Sequence, residues 1–116
     1  MSKFTGKVKT LLMKTVGAGP TSFVQAVRFA WKVNIRAKQD PESSLLHHFL
    51  KPGDVAIDVG ANGADWTSQL SRSVGSNGCV FAFEADPYYA QATELAIRLL
   101  GLKNVVFFRY GLSDED

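Results

Sequence analysis

The segment from Val55 to Glu84 limits this chain to very few folds. A short apolar run, Val55-Ala-Ile57, leads into Asp58-Val-Gly60-Ala-Asn62-Gly63-Ala-Asp65; Trp66 to Val74 then has helical spacing, Gly75-Ser-Asn-Gly78 marks a turn, and Cys79 to Phe83 is a second apolar run that closes on Glu84. Asp86 and Pro87 are start signals for a second helix, Pro87 to Leu100, because an Asp side chain can cap the first amides and proline needs no amide partner there. Val105 to Tyr110 is a third strand. Strands alternating with helices in this rhythm call for a parallel sheet with right-handed crossovers. The expected fold class is therefore α/β: a Rossmann-like parallel sheet preceded by N-terminal helices.

The glycine turn sits between a strand and a helix, at the carboxyl ends of the strands, where open α/β sheets bind ligands. Gly60 offers backbone that a ligand can approach, and Gly63 can take positive φ without steric cost. Glu84 lies 24 positions after Gly60 at the tip of the next strand. A carboxylate there can accept hydrogen bonds from both hydroxyls of a ribose.

What the turn holds depends on its charge. A dinucleotide site uses G-x-G-x-x-G so that backbone amides and a helix N-terminus cradle a pyrophosphate. Here Asn62 and Asp65 stand at the second and third glycine positions, and Asp58 ends the first strand. A carboxylate in the first helical turn competes with a pyrophosphate for the same positive dipole end. These acids suit a cationic ligand, such as the ammonium and sulfonium groups of S-adenosylmethionine, better than a polyphosphate. An NAD-type dehydrogenase half-domain and a non-catalytic interaction module that pairs through an open sheet edge are the alternatives.

Lys51-Pro-Gly-Asp54, Asp58-Val-Gly-Ala-Asn62, Trp66-Thr67, Phe81-Ala-Phe-Glu84 with Asp86-Pro87, and Asn104-Val105 leading to Leu112-Ser113-Asp114 together resemble the start of the FkbM-type methyltransferases, a branch of the class I S-adenosylmethionine-dependent methyltransferases. The resemblance implies that Asp58, Gly60, Ala61, Asn62 and Gly63 line the methionine and ribose side of the cofactor, that Glu84 holds the ribose hydroxyls, and that Gly111 and Leu112 border the adenine. It implies O-methylation of a small molecule or saccharide. The chain departs from the family where Ala64 replaces a usual glycine, Ala85 a usual proline, and Gly63 a common aliphatic residue. By the family's plan, residues 44–116 are the N-terminal half of the domain, truncated before the substrate side, so the catalytic residues are unknown and the chain alone is expected to be inactive.

Residues 1–43 form a basic helical lead segment on this reading. Residues 1–39 hold eight Lys/Arg and no Asp/Glu, whereas residues 40–116 hold five Lys/Arg and eleven Asp/Glu. Val8, Leu11, Leu12 and Val16 suggest one helix, and Phe23, Val27, Ala30 and Trp31 another after the Gly17-to-Pro20 break. Asp40-Pro41-Glu42-Ser43-Ser44 makes a polar loop, then Ser44 to Leu50 a short helix. The basic face is read as solvated and packed on the domain, with an anionic membrane surface as the alternative contact and no nucleic acid expected.

The bulk numbers narrow the classes further. With 46% hydrophobic and 21% charged residues, the chain falls in the range of globular domains. Its single cysteine, Cys79, excludes an internal disulfide, and no Cys/His spacing fits a metal site. A reducing, cytoplasmic setting is the simplest match. Adjacent His47 and His48 would point in different directions on a helix and are not expected to share a metal. Trp66 and Phe83 are expected to be packing residues, and Cys79 a small core residue.

Overall fold

The computed structural model describes residues 20–36 and 42–113; the expected helix around Val8 to Val16 and the Asp40-Pro41 loop start lie outside them. In chain order the elements are α1 (Pro20–Arg36), α2 (Glu42–Phe49), β1 (Val55–Val59), α3 (Asp65–Val74), β2 (Cys79–Phe83), α4 (Pro87–Leu99) and β3 (Val105–Phe108). The strands form one parallel sheet in the order β1-β2-β3. Val55 pairs with Cys79 and Val59 with Phe83; Val80 pairs with Val105 and Phe83 with Phe108. The α/β, Rossmann-like reading holds. β1 runs two residues further than expected and carries Asp58 within it, while β3 stops two residues sooner.

Strand side chains alternate between the two faces of a sheet, and the faces differ sharply here. On one face, Ala56, Val80, Val105 and Phe107 lie under the helices: Val74 and Leu70 of α3 pack on Ala56 and Val80, and Ala92, Ala96 and Ile97 of α4 pack on Val105 and Phe107. On the other face, Val55, Ile57 and Val59 are 63%, 62% and 60% exposed and Val106 is 43% exposed, so none of the described residues covers them. Phe83 stacks on Phe108 there at 4.7 Å between ring centres.

Local chemistry explains the element ends. The Asp86 carboxylate accepts from the amides of Tyr88 at 2.9 Å and Tyr89 at 3.3 Å, with Pro87 as the first helical residue of α4, as the sequence leads one to expect. At the far end of α3, Gly78 must be glycine: a Cβ there would lie 2.5 Å from the Val74 carbonyl oxygen and 2.6 Å from that of Asp54. The Asn104 amide donates to the carbonyls of Ser71 at 2.9 Å and Gly75 at 2.8 Å, a second donor at each beside the backbone amides of Gly75 and Gly78.

α1 packs on α4 by a face that overlaps only in part with the one the spacing suggests. Ala26, Phe29, Ala30 and Val33 are buried, whereas Trp31 is 41% exposed and Phe23 and Val27 are only partly covered. The helix is apolar on more than one side, so periodicity alone cannot select the buried stripe. Two further expectations are corrected: Trp66 is 44% exposed, on the outer side of the first turn of α3, and Cys79 is half-buried on the uncovered sheet face. Cys79 is not enclosed because none of the described residues covers its face of the sheet.

Candidate functional site

The site residues gather where β1 and β2 end. Gly60 and Ala61 leave β1 with φ of +76° at Gly60, and both amides donate to the Phe83 carbonyl, at 2.8 and 3.0 Å. A Cβ on Gly60 would meet nothing within 4 Å, so the glycine is required by its backbone conformation and it faces open space. Asn62 then donates its amide to Oε1 of Glu84 at 3.0 Å. Gly63, at φ +93°, donates its amide to Oγ1 of Thr93 at 3.1 Å. Ala64 donates to the Ala61 carbonyl at 3.1 Å and opens α3 from a left-handed conformation, φ +64°.

Every amide from Gly60 to Ala64 is thus spent inside the protein. Ala64 is the residue where the resembling family has glycine, and its positive φ explains that preference; the methyl group is retained in the core beside Phe29, Ala92 and Ala96. Strain of this kind costs on the order of 1 kcal/mol, and a buried methyl returns about the same.

Glu84 is 8% exposed and has both oxygens engaged: Oε1 accepts from Asn62, and Oε2 from the Asp86 amide at 3.1 Å. The carboxylate therefore ties the glycine turn to the start of α4. Each oxygen keeps acceptor capacity beyond the one bond.

Asp58 lies on the helix-covered side of β1, where the Thr67 hydroxyl of α3 donates to its Oδ2 at 2.6 Å. Burial pushes the Asp58 carboxyl above its ordinary range; the Thr67 hydrogen bond opposes this, and the negative charge of Glu84 adds to it. The two acids are close enough to repel, a pattern common at functional sites. A cation placed between them would relieve that repulsion.

Gly111 is brought to the same rim, its absent Cβ position lying 3.1 Å from Cβ of Ala85, next to Glu84. Leu112 follows at 54% exposure. Asp58, Gly60, Ala61, Asn62, Glu84, Gly111 and Leu112 therefore border one end of the sheet. Gly63 does not face outward: it is buried, and Phe29 of α1 lies 3.2 Å from where its Cβ would be. Its glycine serves packing and positive φ. Sequence reasoning missed three supporting residues, Thr67, Thr93 and Phe29. Thr67 lies within the Trp66-Thr67 motif and so had a signal; Thr93, thirty residues from its partner, and Phe29 had none.

No protein-family model matches the chain, and no curated protein does. Among solved structures, a SAM dependent methyltransferase from Aquifex aeolicus is 27% identical with a TM-score of 0.57, over 69% of this chain and 46% of that one. A protein from Clostridium thermocellum put forward as an rRNA methylase is 27% identical with a TM-score of 0.56, over 60% of this chain and 38% of the other. A Klebsiella pneumoniae protein put forward as an O-methyltransferase covers 93% of this chain and 51% of its own, with a TM-score of 0.53 and 16% identity; that likeness is one of fold alone. The chain spans about half the length of these structures or less. Its fold is the one they share.

Proposed function

We propose that this chain supplies the S-adenosylmethionine-binding part of a methyltransferase, one of the FkbM type acting on an oxygen of a small molecule or saccharide. The observation that carries the reading is the state of the glycine turn. All amides from Gly60 to Ala64 donate within the protein, leaving that stretch with none to offer a pyrophosphate, while Asp58 and Glu84 present two carboxylates at the same end of the sheet. A dinucleotide site has the opposite design. On this reading Asp58 faces the cationic methionyl end, Glu84 accepts from the ribose hydroxyls, and Gly60, Ala61 and Asn62 form the wall that the ligand approaches. Gly111 and Leu112 border the base.

When bound, S-adenosylmethionine would supply an electrophilic methyl group on a sulfonium sulfur. The chain's own residues bind and orient it, which for an in-line displacement is the larger part of the protein's task. The likeness at 27% identity to a SAM dependent methyltransferase supports the cofactor; the small-molecule or saccharide acceptor rests on the motif resemblance. The C. thermocellum neighbour makes RNA the competing acceptor class.

Calorimetry on the 116-residue chain with S-adenosylhomocysteine and, separately, NAD tests the cofactor. Heat of binding with the first and none with the second is expected, and Glu84→Gln should weaken binding by about ten- to a hundredfold, since loss of a hydrogen bond to a charged group is worth about 1.5–3 kcal/mol. No heat with S-adenosylhomocysteine at millimolar concentration, from a chain whose circular dichroism is that of a folded α/β protein, would sink the reading.

A further inference from the structure

The glycine turn is anchored at three points, and they are not equivalent. Gly60 and Ala61 hang on a main-chain carbonyl of β2, and Asn62 hangs on Glu84, itself part of the site. The third anchor comes from outside it: the Thr93 hydroxyl, fully buried on α4, accepts the amide of Gly63 at 3.1 Å. Its burial keeps Thr93 from touching any ligand. A buried amide without an acceptor is costly, so the turn is held where Thr93 holds it.

The opposite side of the same residue is closed by α1. The Phe29 ring lies 3.2 to 3.3 Å from the position a Gly63 Cβ would take, within a buried cluster that also contains Ala64, Ala92 and Ala96. Tyr89, one helical turn before Thr93, stacks on Phe29 at 6.3 Å between ring centres, and Ser22 of α1 donates to Gln91 of α4 at 3.0 Å. Residues 89 and 93 fall on one helix face. Gly63 is therefore gripped between its hydrogen bond to α4 and a ring from α1, and α1 is clasped to α4 by the Phe29–Tyr89 and Ser22–Gln91 contacts.

We infer that Thr93 is a positioning residue for the cofactor site: acting through the Gly63 amide, and braced by Phe29, it sets the turn so that the neighbouring Asn62 amide meets Glu84. The inference rests on the S-adenosylmethionine reading for its ligand, but its geometric part does not. Thr93→Val keeps the shape and removes the acceptor; Thr93→Ser keeps the hydroxyl and loses a methyl. Two readouts are required on the 116-residue chain: calorimetric affinity for S-adenosylhomocysteine, and hydrogen exchange at the Gly63 amide, which reports local opening.

Thr93→Val is expected to weaken affinity by roughly tenfold, the size of one lost buried hydrogen bond, and to speed Gly63 exchange, while Thr93→Ser stays close to the unmodified chain in both. A folded Thr93→Val chain with unchanged affinity and a still-protected Gly63 amide overturns the inference. So does a Thr93→Ser chain as weak as Thr93→Val, because the methyl group would then be what matters. Phe29→Leu is the second route if Thr93→Val fails to fold: it should move both readouts in the same direction, and a chain that only melts lower with neither moved overturns the brace. If the unmodified chain binds no S-adenosylhomocysteine, the cofactor reading fails, and the Gly63 exchange comparison still decides whether Thr93 holds the turn.

Discussion

At the scale of single residues, Asp58 shows what a buried carboxyl at the end of a strand costs. Burial raises its carboxyl above the ordinary value in the folded chain, so between the unfolded and folded values the folded state holds a proton that the unfolded state has already lost. Stability from this group therefore falls as pH rises through that window, and the penalty is fully present above it. Asp58→Asn removes the penalty while still accepting the Thr67 hydroxyl. The variant is expected to melt at a higher temperature than the parent at pH 7, with the gap narrowing as pH falls below the window, and to bind S-adenosylhomocysteine more weakly. Thermal melts at two pH values together with calorimetry check both halves; a variant that melts lower at pH 7 would show that Asp58 is there for structure. The role of Asp58 as a charged group at the strand end was legible from its place before the glycine turn. That Thr67 orients it was not, because a helix residue nine positions later meets it only once α3 is laid on the sheet.

At the scale of elements, the C-terminal end of α3 is joined to the start of β3 by one side chain. Asn104 donates to two carbonyls at that end, those of Ser71 and Gly75, and its Oδ1 accepts from the Ser71 hydroxyl at 2.5 Å. Asn104→Ala removes three hydrogen bonds, although the Ser71 and Gly75 carbonyls each keep one backbone amide, and is expected to destabilise the chain by about 1–3 kcal/mol, read as a lower urea midpoint at constant slope. An unchanged midpoint would mean that water replaces the side chain at no cost. Element types followed closely from the sequence, since Asp86-Pro87 and the strand runs are local signals. The orientation of α1 followed only in part: Phe23, Val27 and Ala30 of the helically spaced set do pack, but Ala26, Phe29 and Val33 are buried as well and Trp31 is 41% exposed. Spacing shows that a helix has an apolar face, and the small residues of α4, Ala92 and Ala96 among them, decide which face fits.

At the scale of the whole molecule, the described residues bury one side of the sheet and leave the other apolar and open, with β1 at its edge. Val55, Ile57 and Val59 along that edge strand, and the Phe81, Phe83 and Phe108 rings beside them, make a surface suited to pairing with another chain. The 116-residue chain is expected to self-associate as its concentration rises. Ile57→Lys places a charge on the exposed face of the edge strand and should reduce association in sedimentation velocity without lowering the melting temperature, since Ile57 is 62% exposed. Association that is unchanged by Ile57→Lys would mean that the contact lies elsewhere. Among the described residues no helix is long and apolar enough to cross a membrane.

The order of residues by itself determined the α/β class, the strand-to-helix position of the glycine turn, the acid at the tip of β2 and the cap of α4, because each depends on neighbours within a few positions or on a strand period that repeats locally. Only the tertiary structure decided that the turn's amides are spent internally, that Gly63 faces Phe29 instead of a ligand, and that Thr67 and Thr93 hold the site from two different helices. Those facts depend on contacts between residues nine to thirty-four positions apart, from Asp58 with Thr67 to Gly63 with Phe29. Their partners become neighbours only after α1, α3 and α4 have packed against the sheet and against one another.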